Sequence, residues 1–337
     1  MTAVDALAAL LFAGLIAYGV FAGADFGAGL WDLTAGNSRK GGPLRSLIDH
    51  SIGPVWEANH VWLIFVLVFL WTGFPRGFGA IVTTLSVPLA AAAFGITLRG
   101  AAFAFRKSTG SLAAARAFGV VFALSSVLTP FFLGTIAGAV ASGRVPSAGN
   151  GDPWTSWTGP SSILGGVLAV GTCAFLAGIF LVADAARGAD DALTTRLRTR
   201  VLVVGVVVGA VALGGIGVLR ADASTLSTGL LRRGLPFVGL SALGGLASLW
   251  CVHGRQYRRA RLAAVVAVAA ILAGWGVGQY PWLLIDEVRL QAAAGAPATV
   301  HALLGVGVLA LAIVVPSLTW LFRLVDTPES HDPNPTY

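Results

Sequence analysis

Charge is what this sequence has least of. Only 11% of its 337 residues are Asp, Glu, Lys or Arg, while 56% are hydrophobic and mean hydropathy is +0.82. Soluble domains carry about 25% charged residues, so a water-soluble globule is excluded and a polytopic membrane protein remains. Cysteine is scarce as well. Cys173 and Cys251 both lie in apolar runs, form no CxxC motif and give no basis for a disulfide framework. They read as buried, inert thiols. Of five histidines, only His60, His253 and His301 stand near apolar runs. A two-haem b-type cytochrome needs about four histidines carried on helices, often paired, so no haem ligand and no metal site is expected in this chain. Polar stretches long enough for a separate soluble domain are missing too. The first residues, "MTAVDALAALLFAGLIAYGVFAGADFGAG", lack a basic n-region and a clear cleavage site, so they are expected to form a retained first span.

What is present is a series of apolar runs. A spanning helix needs roughly 20 apolar residues. Nine such segments are expected, at about 6–24, 55–74, 78–98, 117–141, 161–183, 201–219, 234–252, 262–280 and 302–322. The fold class is therefore all-α, with two four-helix bundles plus one extra helix in a single membrane domain over 1–326. The Pro-rich polar tail 327–337, "TPESHDPNPTY", is expected to be disordered. The net charge of +7 does not point to nucleic acid, because the basic residues punctuate apolar runs instead of forming a patch on a soluble face. They report topology instead: sixteen Lys and Arg fall in one set of alternate loops and six in the other. By the positive-inside rule the N-terminus lies outside and the C-terminus in the cytoplasm. "PLRSLIDH" in the loop 25–54 is expected to be a short interfacial helix. The loop 142–160 reads as turns with Trp154 and Trp157 at the membrane interface. Pro88, Pro130 and Pro316 are expected to kink their spans. "GQYPWLLIDEVR" at 278–289 is expected to cap the eighth span on the outer side, a small-molecule site being the less favoured alternative.

One polar group stands out against this background. The first span is expected to end at Asp25, the second opens with Trp56, Glu57, Asn59 and His60, and the third closes at Arg99. All three ends face the basic side. An i, i+3 spacing puts Glu57 and His60 on one helix face. Taken singly, each has a bland role: Pro54 and an acid suit a helix start, and Arg99 can reach the headgroups. Taken together, ionisable groups at the edge of a bilayer are costly and are usually paired and functional. An acid beside a histidine, with an arginine partner, suits a proton entry point. "DFGAGLWD" at 25–32 follows a membrane helix and not a strand, so its GxG is no dinucleotide site.

The motifs "YGVFAGADFGAGLWDL", closing the first span, and "HSIGPVWEANHVWLI", opening the second, resemble subunit II of the cytochrome bd-type quinol oxidases. Beyond residue 110 the likeness is looser. The resemblance implies a bacterial cytoplasmic membrane protein paired with a larger subunit I. That partner holds haem b and haem d types, oxidises quinol and reduces oxygen to water. It also implies a structural quinone, small single-helix subunits and a proton path from the inner side. Carried over residue by residue, Asp25, Trp56 and Glu57 match the family's acids and tryptophan, and Arg99 matches its arginine. The proton path is assigned to Glu57, Asp25 and His60, supported by Trp56, Arg99 and Asn59. Two departures stand out: Glu57-Ala58-Asn59 replaces the commoner Asp-Gly-Asn, and His60 stands where Gln or Glu is usual. A stand-alone proton-coupled transporter would need a charged or broken-helix site near the midplane, where no charge is seen. A purely structural subunit needs the same residues in the same places.

Overall fold

The computed structural model describes residues 2–36, 38–52 and 59–325. Trp56, Glu57 and the tail 327–337 lie outside the described residues. The helices are α1 (Ala3–Leu33), α2 (Ser38–Ile52), α3 (Val61–Gly73), α4 (Pro75–Thr84), α5 (Ser86–Ser108), α6 (Leu112–Ala141), α7 (Pro160–Arg187), α8 (Asp191–Asp222), α9 (Ser224–His253) and α10 (Tyr257–Gln279). A two-stranded antiparallel hairpin, β1 (Trp282–Leu284) and β2 (Val288–Arg289), leads through α11 (Leu290–Ala293) to α12 (Pro297–Val325). Eight of these helices are long and apolar enough to cross a membrane, and the bent pair α3–α4 makes nine when taken as one span. The protein is an all-α polytopic membrane protein.

Several boundaries depart from the expected ones. A capping box between Thr2 and Asp5 starts helix α1 early, at Ala3, and α1 continues eight residues past Asp25 because nothing before Thr34 stops it. Phe74 bends the second span by 115°; its ψ of 59° lies outside the helical region, which a following proline, Pro75, disfavours. The expected third span is divided at Leu85 into α4 and α5, although Leu85 and Leu89 still donate to the carbonyls four residues back. Pro88 sits in the first turn of α5, where its missing N–H costs nothing, so it starts that helix and does not kink it. The expected cap at 278–289 is instead the β1–β2 hairpin, turned at Asp286 with φ 61°.

Two helix sets repeat one packing pattern. In the first, α1 packs on α3 and α6, and α5 packs on α6; in the second, α7 packs on α8 and α10, and α9 packs on α10. The sets join where α1 and α6 lie against α7, and α12 covers α1 and α3. Helix α1 reaches α7 closely because residue 27 is glycine: a Cβ there would stand 1.8 Å from the Cys173 carbonyl oxygen. Small residues of this kind let membrane helices pack backbone to backbone. Trp31 then pins the pair, its Nε1 donating to the Ala174 carbonyl at 2.8 Å. At the end of the molecule where α1 finishes, arginines of α8 cap neighbouring helices. Arg200 and Arg196 donate to the Thr34 and Ala35 carbonyls, and Arg198 donates to those of Val252 and His253.

Candidate functional site: a buried carboxylate–arginine pair

Asp25 on α1 and Arg99 on α5 meet inside the protein. Arg99 Nη2 lies 2.7 Å from Asp25 Oδ1, and both side chains are 3% exposed. The guanidinium also donates to the Asp25 carbonyl at 3.3 Å and, through Nε, to Ser126 Oγ on α6 at 3.0 Å. The Ser126 hydroxyl in turn donates a hydrogen bond to the Phe122 carbonyl at 2.6 Å. The Phe26 and Phe122 rings lie 5.0 and 5.2 Å from the guanidinium carbon. Arg99 is thus held on three helices, and rings exclude water around it. A buried pair of this kind is stable only while both charges are present; removing one partner costs about 3–5 kcal/mol.

The second carboxylate oxygen, Asp25 Oδ2, is buried with no hydrogen-bond partner among the described residues. The Tyr18 hydroxyl and the Trp62 indole nitrogen, on the same side of α1, share that condition. His60 packs edge-on to both Tyr18 and Phe26, with ring centroids 6.3 and 6.0 Å away. Asn59 is buried and reaches the Phe21 carbonyl at 3.5 Å. Four of the six residues singled out from the sequence, Asp25, Asn59, His60 and Arg99, therefore gather around one stretch of α1. Trp56 and Glu57 stand outside the described residues, in the segment that immediately precedes Asn59.

A second layer lies one step towards the helix ends. Asp32 Oδ1 accepts from Arg45 of α2 at 2.6 Å, and its Oδ2 accepts from Arg106 of α5 at 2.5 Å. Arg106 Nη2 donates to both oxygens of Asp49 at 3.0 Å. Sequence reasoning missed this layer, and its signal was available. Asp25 and Asp32 are seven residues apart on α1, as Arg99 and Arg106 are on α5, and a seven-residue step returns to nearly the same helix face. The polar pairs thus stack as two rungs along the gap between the two helices. The third ion-pair group on this side was missed as well: Asp184 accepts from Ser51 at 3.1 Å and pairs with Arg187 and Arg261.

The other described histidines hold no such position. His50 and His301 each place Nδ1 within 2.9 Å of a carbonyl one turn back, and His253 is exposed at the end of α9. Among the described residues, no three His, Cys, Asp or Glu side chains converge as a metal site would need. Cys173 is buried against α1, and Cys251 is partly buried.

A bundle of spanning helices with an arginine–carboxylate pair sealed inside one end defines a class of integral membrane protein in which charge is kept in the apolar layer for use or for anchorage. A family model described as cytochrome bd terminal oxidase subunit II matches residues 4–325, and the chain belongs to that family. It is 28% identical over 130 residues to cytochrome bd ubiquinol oxidase subunit 2 of Bacillus subtilis (strain 168). That match spans 39% of this chain and 37% of the curated relative, little more than a third of its length. Its fold is similar to that of a chain in the structure of bd oxidase from Geobacillus thermodenitrificans. The TM-score is 0.76 and the identity 23%, over 96% of this chain and 98% of the other.

Proposed function

We propose that this chain is the haem-free subunit of a membrane-bound quinol:oxygen oxidoreductase, partnered by a larger subunit that carries haem b and haem d types and performs the chemistry. In this reading the chain stabilises its partner through a helical interface and delivers protons to it from the arginine-rich side, which is the cytoplasmic face. The N-terminus then lies outside and the C-terminus inside. Oxygen reduction to water consumes protons, so a buried route from that side serves the reaction. Glu57 receives the proton first, His60 and Asp25 pass it inward, and Arg99 holds the Asp25 carboxylate in place. A structural quinone and small single-helix subunits belong to the same reading.

The observation that carries the proton role is the second oxygen of Asp25. A carboxylate serving only as an anchor would have both oxygens satisfied, because an unsatisfied buried acceptor costs about 1–3 kcal/mol. Here one oxygen holds the arginine and the other is unclaimed among the described residues, as a proton acceptor needs to be. The first experiment is mild-detergent purification of the tagged chain from its native membrane. A co-purifying larger chain with b- and d-type haem bands in the reduced-minus-oxidised spectrum is expected. A colourless chain without a partner contradicts the oxidase reading and favours a stand-alone transporter. Given the complex, Glu57→Gln is expected to slow turnover with haem content unchanged. A Glu57→Gln complex at wild-type rate leaves a purely structural role.

A further inference from the structure

The end of the molecule opposite Asp25 carries a second feature, which none of the proton chemistry uses. A cleft of about 320 Å³ opens between the first turns of α9 and the start of the hairpin, lined by Ser224, Thr228, Arg232, Arg233, Pro281 and Trp282. That volume falls at the small end of ligand clefts, which run from roughly 300 to 1,000 Å³. The chain makes the cleft by a local irregularity. Residues Leu230–Gly234 form a turn of π-helix inside α9. Such bulges cost helix regularity and occur often at functional sites. This one places two consecutive arginines in the cleft lining.

The two arginines are used differently. Arg233 is tied down: Nε donates to the Val277 carbonyl at 3.3 Å, and Nη2 donates to those of Gly278 and Tyr280. It holds the end of α10 and shapes the cleft floor. Arg232 is exposed and has no hydrogen-bond or ion-pair partner among the described residues. The nearby carboxylates are all engaged, one of them by Thr225, which itself lines the cleft. Asp286 accepts from Thr225 at 2.8 Å, Glu287 accepts from the Ser147 N–H at 3.1 Å, and Asp222 is paired with Arg144. The remaining cleft chemistry is one free guanidinium, a second held at the floor, the hydroxyls of Ser224 and Thr228, and an indole wall. That set recognises a phosphate group. Its depth narrows the source. Helix α8 ends at Asp222 and α10 at Gln279, so the cleft sits where spanning helices leave the apolar layer, at the level of lipid headgroups. Trp282 in its wall suits that interface.

We propose that this cleft binds the phosphate of an anionic phospholipid headgroup, with Arg232 as the principal contact. The acyl chains of that lipid lie against the apolar flank of α9, where Leu231, Leu235 and Leu240 are exposed. The test is native mass spectrometry of the purified full-length chain with its co-purifying subunits, titrated with phosphatidylglycerol and, separately, phosphatidylcholine. Wild type is expected to retain phosphatidylglycerol over phosphatidylcholine, and Arg232→Gln to weaken that retention about tenfold, the scale on which one charge-assisted contact acts. Arg220→Gln, at an exposed arginine outside the cleft, is expected to leave it unchanged. Equal retention in Arg232→Gln and wild type overturns the proposal, as does equal retention of the two lipids. A third arm adds inorganic phosphate. Displacement of phosphatidylglycerol at millimolar phosphate would assign the cleft to a soluble phosphate-bearing ligand and overturn the lipid source. No displacement is the expected result.

Discussion

Two acid–arginine pairs sit at opposite ends of this protein, and they are built differently. Asp222 and Arg144 join the end of α8 to the loop before α7. Arg144 grips both carboxylate oxygens, and Oδ2 also takes the Ser161 N–H at 2.9 Å. That carboxylate caps the first turn of α7 and clamps a loop; its side chain is 16% exposed. Every acceptor direction that matters is filled, and the hydrogen bonds to Asp222 raise the Arg144 pKa above its usual value. Asp25 and Arg99 are 3% exposed, lie about two turns inside the helix ends, and leave one carboxylate oxygen unfilled among the described residues. A clamp can sit at the surface and be complete. A buried group that exchanges protons needs an acceptor direction left open. In the proposed reading that difference, and not residue type, separates anchorage from transfer, since both pairs are the same two residues.

The sharpest way to break the comparison is to remove one arginine from each pair. Arg99→Met strands a buried carboxylate and is expected to cost about 3–5 kcal/mol, seen as loss of assembled protein or a large fall in the tryptophan-monitored unfolding midpoint. Arg144→Met is expected to cost about 1 kcal/mol, because a partly exposed pair contributes about 0–1 kcal/mol. Equal effects would erase the distinction between the two ends. Next in size is Gly27→Ala. Its Cβ would stand 1.8 Å from the Cys173 carbonyl oxygen, so α1 and α7 have to move apart. A loss of about 1–3 kcal/mol, or more if the backbones cannot shift, is expected in the same assay. Asp222→Ala removes the α7 cap along with the clamp, costing about 1–2 kcal/mol, and turnover per assembled complex is expected to hold. The smallest effect is Trp31→Phe, which loses one buried hydrogen bond to Ala174 and about 1 kcal/mol.

Much of this was legible in the residues themselves. The apolar runs locate the spans, and the sequence alone groups Asp25, Glu57, Asn59, His60 and Arg99, because helix ends facing one side must bring their polar residues to one depth. Helix ends were less legible. Hydropathy stops at the first charge, whereas α1 and α5 carry their charges inside the helix, paired across the gap, so both run on past Asp25 and Arg99. The Asp32–Arg106 rung was hidden for the same reason, although its seven-residue offset from the first rung stands in the sequence. The bend at Phe74 had a signal in Pro75, whereas the division at Leu85 had neither proline nor glycine beside it. The hairpin after α10 read as a cap, because five strand residues are too few for an alternation to show.

The central claim is that Asp25 moves protons and Asp222 does not. Its most direct test is quinol-driven oxygen consumption by purified complexes carrying Asp25→Asn or Asp222→Asn, each normalised to haem content. Asparagine at 25 keeps the shape and a hydrogen bond to Arg99 but cannot accept a proton. The predicted result is a fall of about tenfold or more for Asp25→Asn, since a positioned proton-transfer group contributes about 10²–10⁴-fold, with Asp222→Asn near the wild-type rate. A fully assembled Asp25→Asn complex turning over at the wild-type rate would contradict the account and leave Asp25 as an anchor.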